Sequence, residues 1–166
     1  MVPVREETRS MAQSTQGKVQ VGDVAPDFTL PDQSGAQISL KDFLGKNIVM
    51  YFYPKDNTPG CTAEACSFRD SYAVFKEKGA EVIGISSDSA EAHQKFAAQH
   101  RLPFTLLSDE NGAVRKRYGV PTTLVLLPGR VTYVIDKEGV VRHVFNSQFA
   151  PAKHVSEALT ILETLS

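Results

Sequence analysis

The two cysteines of this 166-residue chain, Cys61 and Cys66, are the residues whose types and positions point most directly to chemistry. An apolar run at 48–53 predicts a buried strand, a loop rich in proline and glycine follows, and a helical pattern covers 62–78. Cys61 therefore lies where a helix begins. Unpaired backbone N–H groups and the helix dipole favour an anion at that end, and helix N-termini stabilise thiolates. Cys61 is a candidate nucleophile.

Cys66 falls inside the same predicted helix, five residues after Cys61. In a helix, two Cα atoms at that spacing are roughly 8.5 Å apart and point about 140° away from each other. A disulfide needs Cα atoms within about 7 Å, so a Cys61–Cys66 bond requires the first turn or more to unwind. Such a bond suits a catalytic cycle better than a permanent staple. The spacing equally allows Cys66 to be a small buried apolar residue, as free cysteines often are.

Composition limits the classes of function. With 42% hydrophobic residues and a net charge of −1, we expect one globular domain with a full core and no electrostatic basis for binding nucleic acid. No stretch approaches the ~18 apolar residues of a membrane span, so we expect no membrane insertion. Two cysteines do not make a secreted disulfide scaffold, which favours a reducing compartment.

The chain is predicted to divide into an arm and a domain. Residues 1–20 are polar and without periodicity, which is typical of a disordered arm, a tag or the remnant of a targeting peptide. The remaining residues, 21–166, are predicted to form the single folded domain.

The element order predicts an α/β fold. Strands at 48–53 and 81–86 flank the cysteine helix as a βαβ unit with parallel strands. Asp88 and Glu91 resemble a capping box at the start of the next helix. The other predicted elements are strands at 28–30 and 37–40 around a hairpin turn, a helix at 89–100, a strand at 104–107, a helix at 111–118, hairpin strands at 131–136 and 140–145, and a last helix from Pro151. A mixed sheet with helices on both faces follows.

The segment from Pro54 to Cys61 matches the P-x-x-x-T-x-x-C signature of peroxiredoxins. Its continuation, T-A-E-A-C-S-F-R-D, resembles the Q-type class, also called bacterioferritin comigratory proteins. The resemblance runs from about Val19 through nearly the whole chain, and segments 127–130 and 148–154 are similar to the plant and cyanobacterial branch. It implies a thioredoxin-like fold whose central mixed sheet is flanked by helices and preceded by an N-terminal β-hairpin extension.

The resemblance also implies roles for individual residues. Cys61 would attack the peroxide, the Thr58 hydroxyl would bond the sulfur or the peroxide, and Pro54 would shield the site. Without the signature, Thr58 is typical of a turn or helix N-cap and Pro54 of a strand terminator.

A cation is expected at the site, and the resemblance points to Arg130, which precedes a strand as the family's active-site arginine does. The alternative for Arg130 is an exposed loop position. Three other arginines are expected to be solvated surface charges: Arg69, Arg115 and Arg142.

Cys66 matches the resolving cysteine of many Q-type proteins. The implied cycle passes from a Cys61 sulfenic acid to a Cys61–Cys66 disulfide, which thioredoxin or a similar dithiol reduces. The helix spacing adds that oxidation must unwind roughly 62–67. The implied substrates are hydrogen peroxide and organic hydroperoxides, with no metal, haem or flavin cofactor. We expect a monomer in a bacterial cytoplasm, or alternatively in a plastid.

Competing functions remain open at this point. A general thiol–disulfide oxidoreductase on the same fold normally carries Cys-x-x-Cys at the helix start. A redox sensor or holdase would expose Phe68 and Tyr72 when the helix unwinds. Zinc would need more ligands than the chain places nearby, and a Cys–His hydrolase would need His143 or His154 at Cys61.

Two further histidines share one face of the predicted helix at 89–100. They are His93 and His100, seven positions apart, and we expect them to be solvated or half-buried.

Overall fold

The computed structural model of the protein describes residues 18–120, 122–123, 127–128, 130–147 and 150–165. The predicted arm lies almost wholly outside these residues, and the division into an arm and a single domain over 21–166 stays a prediction. Val19 is nevertheless buried, and its N–H donates to the Tyr118 carbonyl over 2.9 Å. The folded part of the chain therefore includes Val19, two residues before the predicted start.

The predicted helices and strands occur in the predicted order, and the structure adds a short antiparallel strand pair, Thr122–Thr123 and Leu127–Pro128, that was not predicted. The strands are β1 (Thr29–Pro31), β2 (Gln37–Ser39), β3 (Asn47–Phe52), β4 (Ala80–Ser86), β5 (Thr105–Ser108), β6 (Thr122–Thr123), β7 (Leu127–Pro128), β8 (Val131–Ile135) and β9 (Val141–Asn146). The helices are α1 (Pro59–Asp70), α2 (Tyr72–Glu77), α3 (Ala90–His100), α4 (Ala113–Tyr118) and α5 (Pro151–Leu165), with a 3-10 turn at Leu40–Phe43. No helix among the described residues has both the length and the apolar character to cross a bilayer.

A five-stranded sheet in the order β5-β4-β3-β8-β9 forms the centre of the fold. Strands β3, β4 and β5 are parallel to each other, whereas β8 runs antiparallel to both β3 and β9. The predicted mixed sheet is confirmed. Strands β1 and β2 pair antiparallel, with Leu30 opposite Ile38, and form the predicted N-terminal hairpin.

Strand β3 separates two apolar clusters, because successive side chains of a strand point to opposite faces of the sheet. Val49 and Tyr51 pack in the first cluster with residues of α1, α2, α3 and α5. Met50 and Phe52 pack in the second cluster with α4, the 3-10 turn and the N-terminal segment. All six residues of β3 are buried, as expected of a central strand covered on both faces.

The cysteine helix is shorter than predicted. The pattern at 62–78 predicts one helix, but the structure has two, α1 and α2, divided at Ser71. Ser71 has φ −101° and ψ 3°, outside the helical range, and serine is a residue that competes with helical backbone bonding. Phe68 and Phe75, on either side of the break, are both buried in one apolar cluster, so α1 and α2 keep the same face on the sheet across the break.

The cap of α3 also differs from the predicted capping box at Asp88. The N-cap is Ser89, whose hydroxyl accepts the Ala92 N–H over 3.1 Å. The Asp88 carboxylate instead accepts the backbone N–H of Asp56 and the hydroxyl of Ser86. Asp88 therefore links α3 to the loop that precedes Cys61, a partner too distant in sequence for a local pattern to indicate.

Replacing Phe68 by alanine tests how firmly α1 is attached to the sheet. The ring is fully buried and stacks on Tyr51 with centroids 4.5 Å apart. We expect Phe68→Ala to lower the free energy of unfolding by about 3–5 kcal/mol, measured by urea titration of the reduced protein. Val74→Ala is the matched control, since Val74 is 41% exposed and its loss should change stability by less than ~0.5 kcal/mol. Equal effects of the two substitutions would contradict the packing described.

Candidate active site

Cys61 occupies the third position of α1, which begins at Pro59 with Thr58 as its N-cap. Proline suits the first helical position because its ring presets φ and its missing N–H is not needed there. The Cys61 side chain is 1% exposed and joins the apolar cluster of Val49 and Tyr51. The predicted placement of Cys61 at a helix N-terminus is confirmed. A buried thiol thus lies at the end of the helix that favours an anion.

Arg130 contacts the cysteine directly. Its Nη2 donates to Cys61 Sγ over 3.4 Å, and its Nη1 donates to Glu64 Oε1 over 2.6 Å. Arg130 lies just before β8, which is antiparallel to β3, and β3 runs into the loop that carries Cys61. The sheet therefore brings together two residues that are distant in sequence. With 4% exposure, Arg130 is not a loop residue in solvent, and that alternative is wrong.

Gly60 explains how the guanidinium reaches the sulfur. A Cβ at this position would lie 3.0 Å from Arg130 Nη2, which is tighter than ordinary contact. A side chain here would push the guanidinium away from the start of α1. The glycine before the cysteine therefore has a packing reason.

Glu64 forms the other half of a buried ion pair with Arg130. Burial raises the pKa of Glu64 to about 8, although Arg130 pulls it the other way. For Arg130, burial alone would lower the pKa, but Glu64 and Cys61 outweigh it and the pKa is raised. Arg130 therefore stays a cation at neutral pH, and Glu64 is the partner that titrates. Glu64 Oε2 is buried and has no hydrogen-bond partner among the described residues.

His154 on α5 closes this cluster. Its Nε2 donates to the Ser147 carbonyl over 2.8 Å, so its Nδ1 accepts from the Thr132 hydroxyl over 2.7 Å. The same Nδ1 lies 3.6 Å from Glu64 Oε2. Burial lowers the pKa of His154 to about 4, and the ring is neutral at physiological pH. Because both ring nitrogens already have partners, the structure does not support His154 as the base of a Cys–His hydrolase.

His143 does not support a hydrolase either. It lies on β9, and its Nε2 is 2.9 Å from Glu157 Oε1.

Thr58 and Pro54 lie where the signature predicts, half-buried in the loop between β3 and α1. The Thr58 hydroxyl donates to the Lys55 carbonyl over 2.9 Å. It forms no capping hydrogen bond with the helix backbone and none with the Cys61 sulfur. Because its proton is committed to that carbonyl, the hydroxyl oxygen has lone pairs left to accept a hydrogen bond. Thr58 is thus arranged to receive a proton donor at the helix N-terminus.

The same loop is fixed by a buried network that the sequence did not indicate. Asp56 Oδ1 accepts from the Tyr53 hydroxyl over 2.6 Å, and Asp56 Oδ2 lies 2.7 Å from His93 Nδ1. His93 Nε2 donates to the Leu107 carbonyl over 3.0 Å. His93 is fully buried, so its expected exposure is wrong. The position of His93 on the same side of α3 as the apolar Phe96 could have indicated its burial.

The ligand atoms of Asp56, Asp88 and His93 lie within 4.8 Å of one another, a spacing that a metal ion would accept. Each of the three is already held by hydrogen bonds inside the protein. We therefore assign this cluster to loop anchoring.

The remaining arginines differ in their surroundings. Arg115 is buried and donates to the Tyr53 carbonyl over 2.8 Å, so its expected role as a surface charge is wrong. It secures the strand end from which the Cys61 loop departs. Arg142 is exposed and pairs with Asp136, as expected of a surface residue, and Arg69 is half-exposed beside Asp70.

Both cysteines are free thiols. Cys66 is half-buried on α1, and its Sγ lies 4.0 Å from His100 Nδ1 on α3. Of the predicted site residues, Cys61, Thr58 and Arg130 lie at the start of α1, Pro54 lies in the loop before it, and Cys66 faces a neighbouring helix.

The raised pKa of Glu64 predicts a pH dependence of stability. The folded state binds this proton more tightly than an unfolded chain with its ordinary pKa of 4.5, so stability falls as pH rises towards about 8. Below pH 6.5, the lowered pKa of His154 gives the opposite slope. Between about pH 6.5 and 8, we expect the free energy of unfolding to fall by about 1–2 kcal/mol, and Glu64→Gln to remove most of this fall.

Urea titrations across that pH range measure this slope. Glu91→Gln is the control, since the Glu91 side chain is 78% exposed and should leave the slope unchanged. A wild-type slope retained in Glu64→Gln would show that Glu64 is not the titrating group.

Comparison with known sequences places this geometry in a family. The profile of the AhpC/TSA family matches residues 21–144. The chain is 59% identical over 150 residues to "Peroxiredoxin Q, chloroplastic" of Triticum aestivum, an alignment that covers 90% of this chain and 69% of the relative.

Solved structures agree with the sequence comparison. Peroxidoxin BcpB from Mycobacterium tuberculosis superposes with a TM-score of 0.83 at 39% identity, covering 89% of this chain and 99% of that one. The bacterioferritin comigratory protein of Xanthomonas campestris, described for its alkyl peroxide reduction activity, gives 0.79 at 29% identity, covering 89% and 98%. The thioredoxin-like fold is confirmed. This chain belongs to the AhpC/TSA family and, within it, to the Q-type peroxiredoxins, which are thiol-dependent peroxidases.

Proposed function

We propose that Cys61 is the peroxide-reducing thiol of this protein and that Cys66 resolves its oxidised form. The observation that carries the proposal is the 3.4 Å contact between Arg130 Nη2 and Cys61 Sγ at the N-terminus of α1. A guanidinium and a helix N-terminus both stabilise a thiolate, which is the form that attacks.

In the first step, the Cys61 thiolate attacks the terminal oxygen of a hydroperoxide. The new S–O bond forms as the O–O bond breaks, the sulfur is oxidised to a sulfenic acid, and the departing oxygen takes a proton to leave as an alcohol or water. Arg130 donates to the sulfur and would stabilise the charge that moves to the departing oxygen. The Thr58 oxygen would accept a hydrogen bond from the hydroperoxide O–H, and Pro54 would limit the access of water.

In the second step, the Cys66 sulfur displaces hydroxide from the Cys61 sulfenic acid and forms a disulfide, with water as the by-product. The helical spacing of the two residues requires α1 to unwind over roughly 62–67. Unwinding would bring the disulfide to the surface, where thioredoxin or a similar dithiol reduces it by exchange. A sensor or a general oxidoreductase is not favoured, because the relatives are peroxiredoxins.

The substrates we propose are hydrogen peroxide and organic hydroperoxides. The alkyl peroxide reduction activity of the Xanthomonas campestris relative supports the second class. The chloroplastic wheat relative supports the plastid alternative over the predicted bacterial cytoplasm. We also propose a monomer, in keeping with the few large apolar side chains that the described residues expose: Val21, Val24, Leu44 and Val74.

Substituting each cysteine separately tests the different roles proposed for Cys61 and Cys66. Peroxide consumption is followed as NADPH oxidation with thioredoxin and thioredoxin reductase. We expect Cys61→Ser to be inactive, and Cys66→Ser to lose thioredoxin-supported turnover while still forming a sulfenic acid that a dimedone-type probe traps. Normal turnover by Cys66→Ser would show that one cysteine suffices. Residual peroxidase activity in Cys61→Ser would refute its role.

Thr58 offers a matched pair of substitutions. Thr58→Val keeps the shape but removes the hydroxyl, and we expect the second-order rate of Cys61 oxidation to fall about 100-fold, as for loss of one preorganised hydrogen bond. Thr58→Ser keeps the hydroxyl and should stay within about tenfold of wild type. Stopped-flow measurement of the single oxidation step gives both rates. Equal rates for the valine and serine variants would contradict the role proposed for the hydroxyl.

A further inference from the structure

Cys66 faces the end of α3 and not the peroxide-reducing cysteine. Its Sγ lies 4.0 Å from His100 Nδ1, within the range of a hydrogen bond to sulfur, and both residues are half-buried. Phe96, one turn earlier on α3, packs its ring edge-on against the imidazole, with centroids 5.0 Å apart and an interplanar angle of 67°. The imidazole therefore has a defined position beside a thiol that the predicted cycle needs as a nucleophile.

The surroundings of this pair favour charge separation between sulfur and imidazole. His100 is the last residue of α3, and the C-terminal end of a helix dipole stabilises an imidazolium. Arg69 lies one turn after Cys66 on α1, and after its hydrogen bond to Asp70 the charge of Cys66 is the next influence that raises the pKa of Arg69. A thiolate at Cys66 would thus have a cation on each side.

Arg69 also holds the two helices together at this point. Its Nη1 donates to the backbone carbonyl of His100 over 2.8 Å, and the neighbouring Phe68 is fully buried. The second half of α1 is therefore fastened to α3 and to the sheet, whereas the first turn contains Cys61. Cys66 therefore lies at the anchored end of the segment 62–67, and anchoring of the residues that follow it would keep it near His100 as that segment unwinds.

We propose that His100 is a catalytic residue of the resolving step, where it accepts the thiol proton of Cys66. This inference rests on the proposed role of Cys66. The S–H bond of Cys66 breaks and its proton passes to Nδ1 of the neutral imidazole. The sulfur electron pair then forms the bond to Cys61 sulfur, the S–O bond of the sulfenic acid breaks, and hydroxide leaves. The hydroxide takes a proton from the imidazolium and departs as water, so that Cys66 is oxidised and the sulfenic sulfur is reduced.

The test isolates the resolving step in a single turnover. Reduced protein is mixed with one equivalent of hydrogen peroxide, and sulfenic acid and disulfide are quantified by mass spectrometry after rapid quenching at several pH values. We expect His100→Asn to slow disulfide formation by about 100-fold near neutral pH, the low end of general-base contributions. The rate should recover at high pH, where the Cys66 thiol ionises without help. The rate of Cys61 oxidation should not change.

Two further variants separate a proton acceptor from a packing residue. His100→Ala opens space for a small base, and added imidazole should restore its rate in proportion to concentration, which a purely structural role would not allow. His143→Asn is the matched control. Like the His100 variants, it removes a half-buried imidazole. His143 lies on β9, the strand at the opposite edge of the sheet from β5, and pairs with Glu157, so this variant should form the disulfide at the wild-type rate.

The outcomes distinguish this inference from the proposed function. Disulfide formation in both His100 variants with the wild-type rate and pH profile would overturn the role of His100 and leave the two-cysteine cycle standing. Absence of a Cys61–Cys66 disulfide in wild type would overturn the cycle itself, and the inference with it. If the variants form the disulfide more slowly, but added imidazole does not restore the rate and the pH profile does not shift, His100 acts through packing alone.

Discussion

A guanidinium buried inside a protein is stable only when it is paired, and the Arg130–Glu64 ion pair is the interaction on which this site depends. Arg130 precedes β8, and both Glu64 and Cys61 belong to α1, so one pair attaches the cysteine helix to the sheet. His154 brings α5 into the same cluster. The guanidinium cannot move away from the sulfur without leaving a carboxyl group buried and alone. The same ion pair therefore positions the thiol and stabilises the helix.

The proposed catalytic cycle would disrupt this ion pair. In the proposed cycle, forming the disulfide would unwind the helix that carries Glu64, so the ion pair with Arg130 would be strained or lost each time the enzyme is oxidised. The burial that raises the pKa of Glu64 to about 8 opposes its ionisation, so the pair adds less to stability than a 2.6 Å contact between full charges would suggest. Phe68 anchors the second half of α1 to the sheet, and Arg69 anchors it to α3. These contacts would limit how far the unwinding of α1 extends.

Local patterns in the sequence were sufficient for most elements of the fold. The period-two and helical repeats predicted the βαβ unit, the N-terminal hairpin and the start of the helix at Cys61. Features that depend on distant partners were missed. The burial of His93 and Arg115 follows from contacts with the loop before Cys61, and the helical pattern at 62–78 did not show the break at Ser71. Arg130 was indicated by family resemblance alone, because no spacing rule connects it to the cysteine.

The most direct test of this account is amide hydrogen exchange, measured by mass spectrometry on the reduced protein and on protein oxidised with one equivalent of peroxide. We expect peptides covering 62–67 to lose protection on oxidation, while those covering α3 and β8 keep it. Oxidised Cys66→Ser, which forms no such disulfide, should retain the reduced pattern. Unchanged protection at 62–67 in a protein shown to contain the Cys61–Cys66 disulfide would contradict the central claim that resolution requires the helix to unwind.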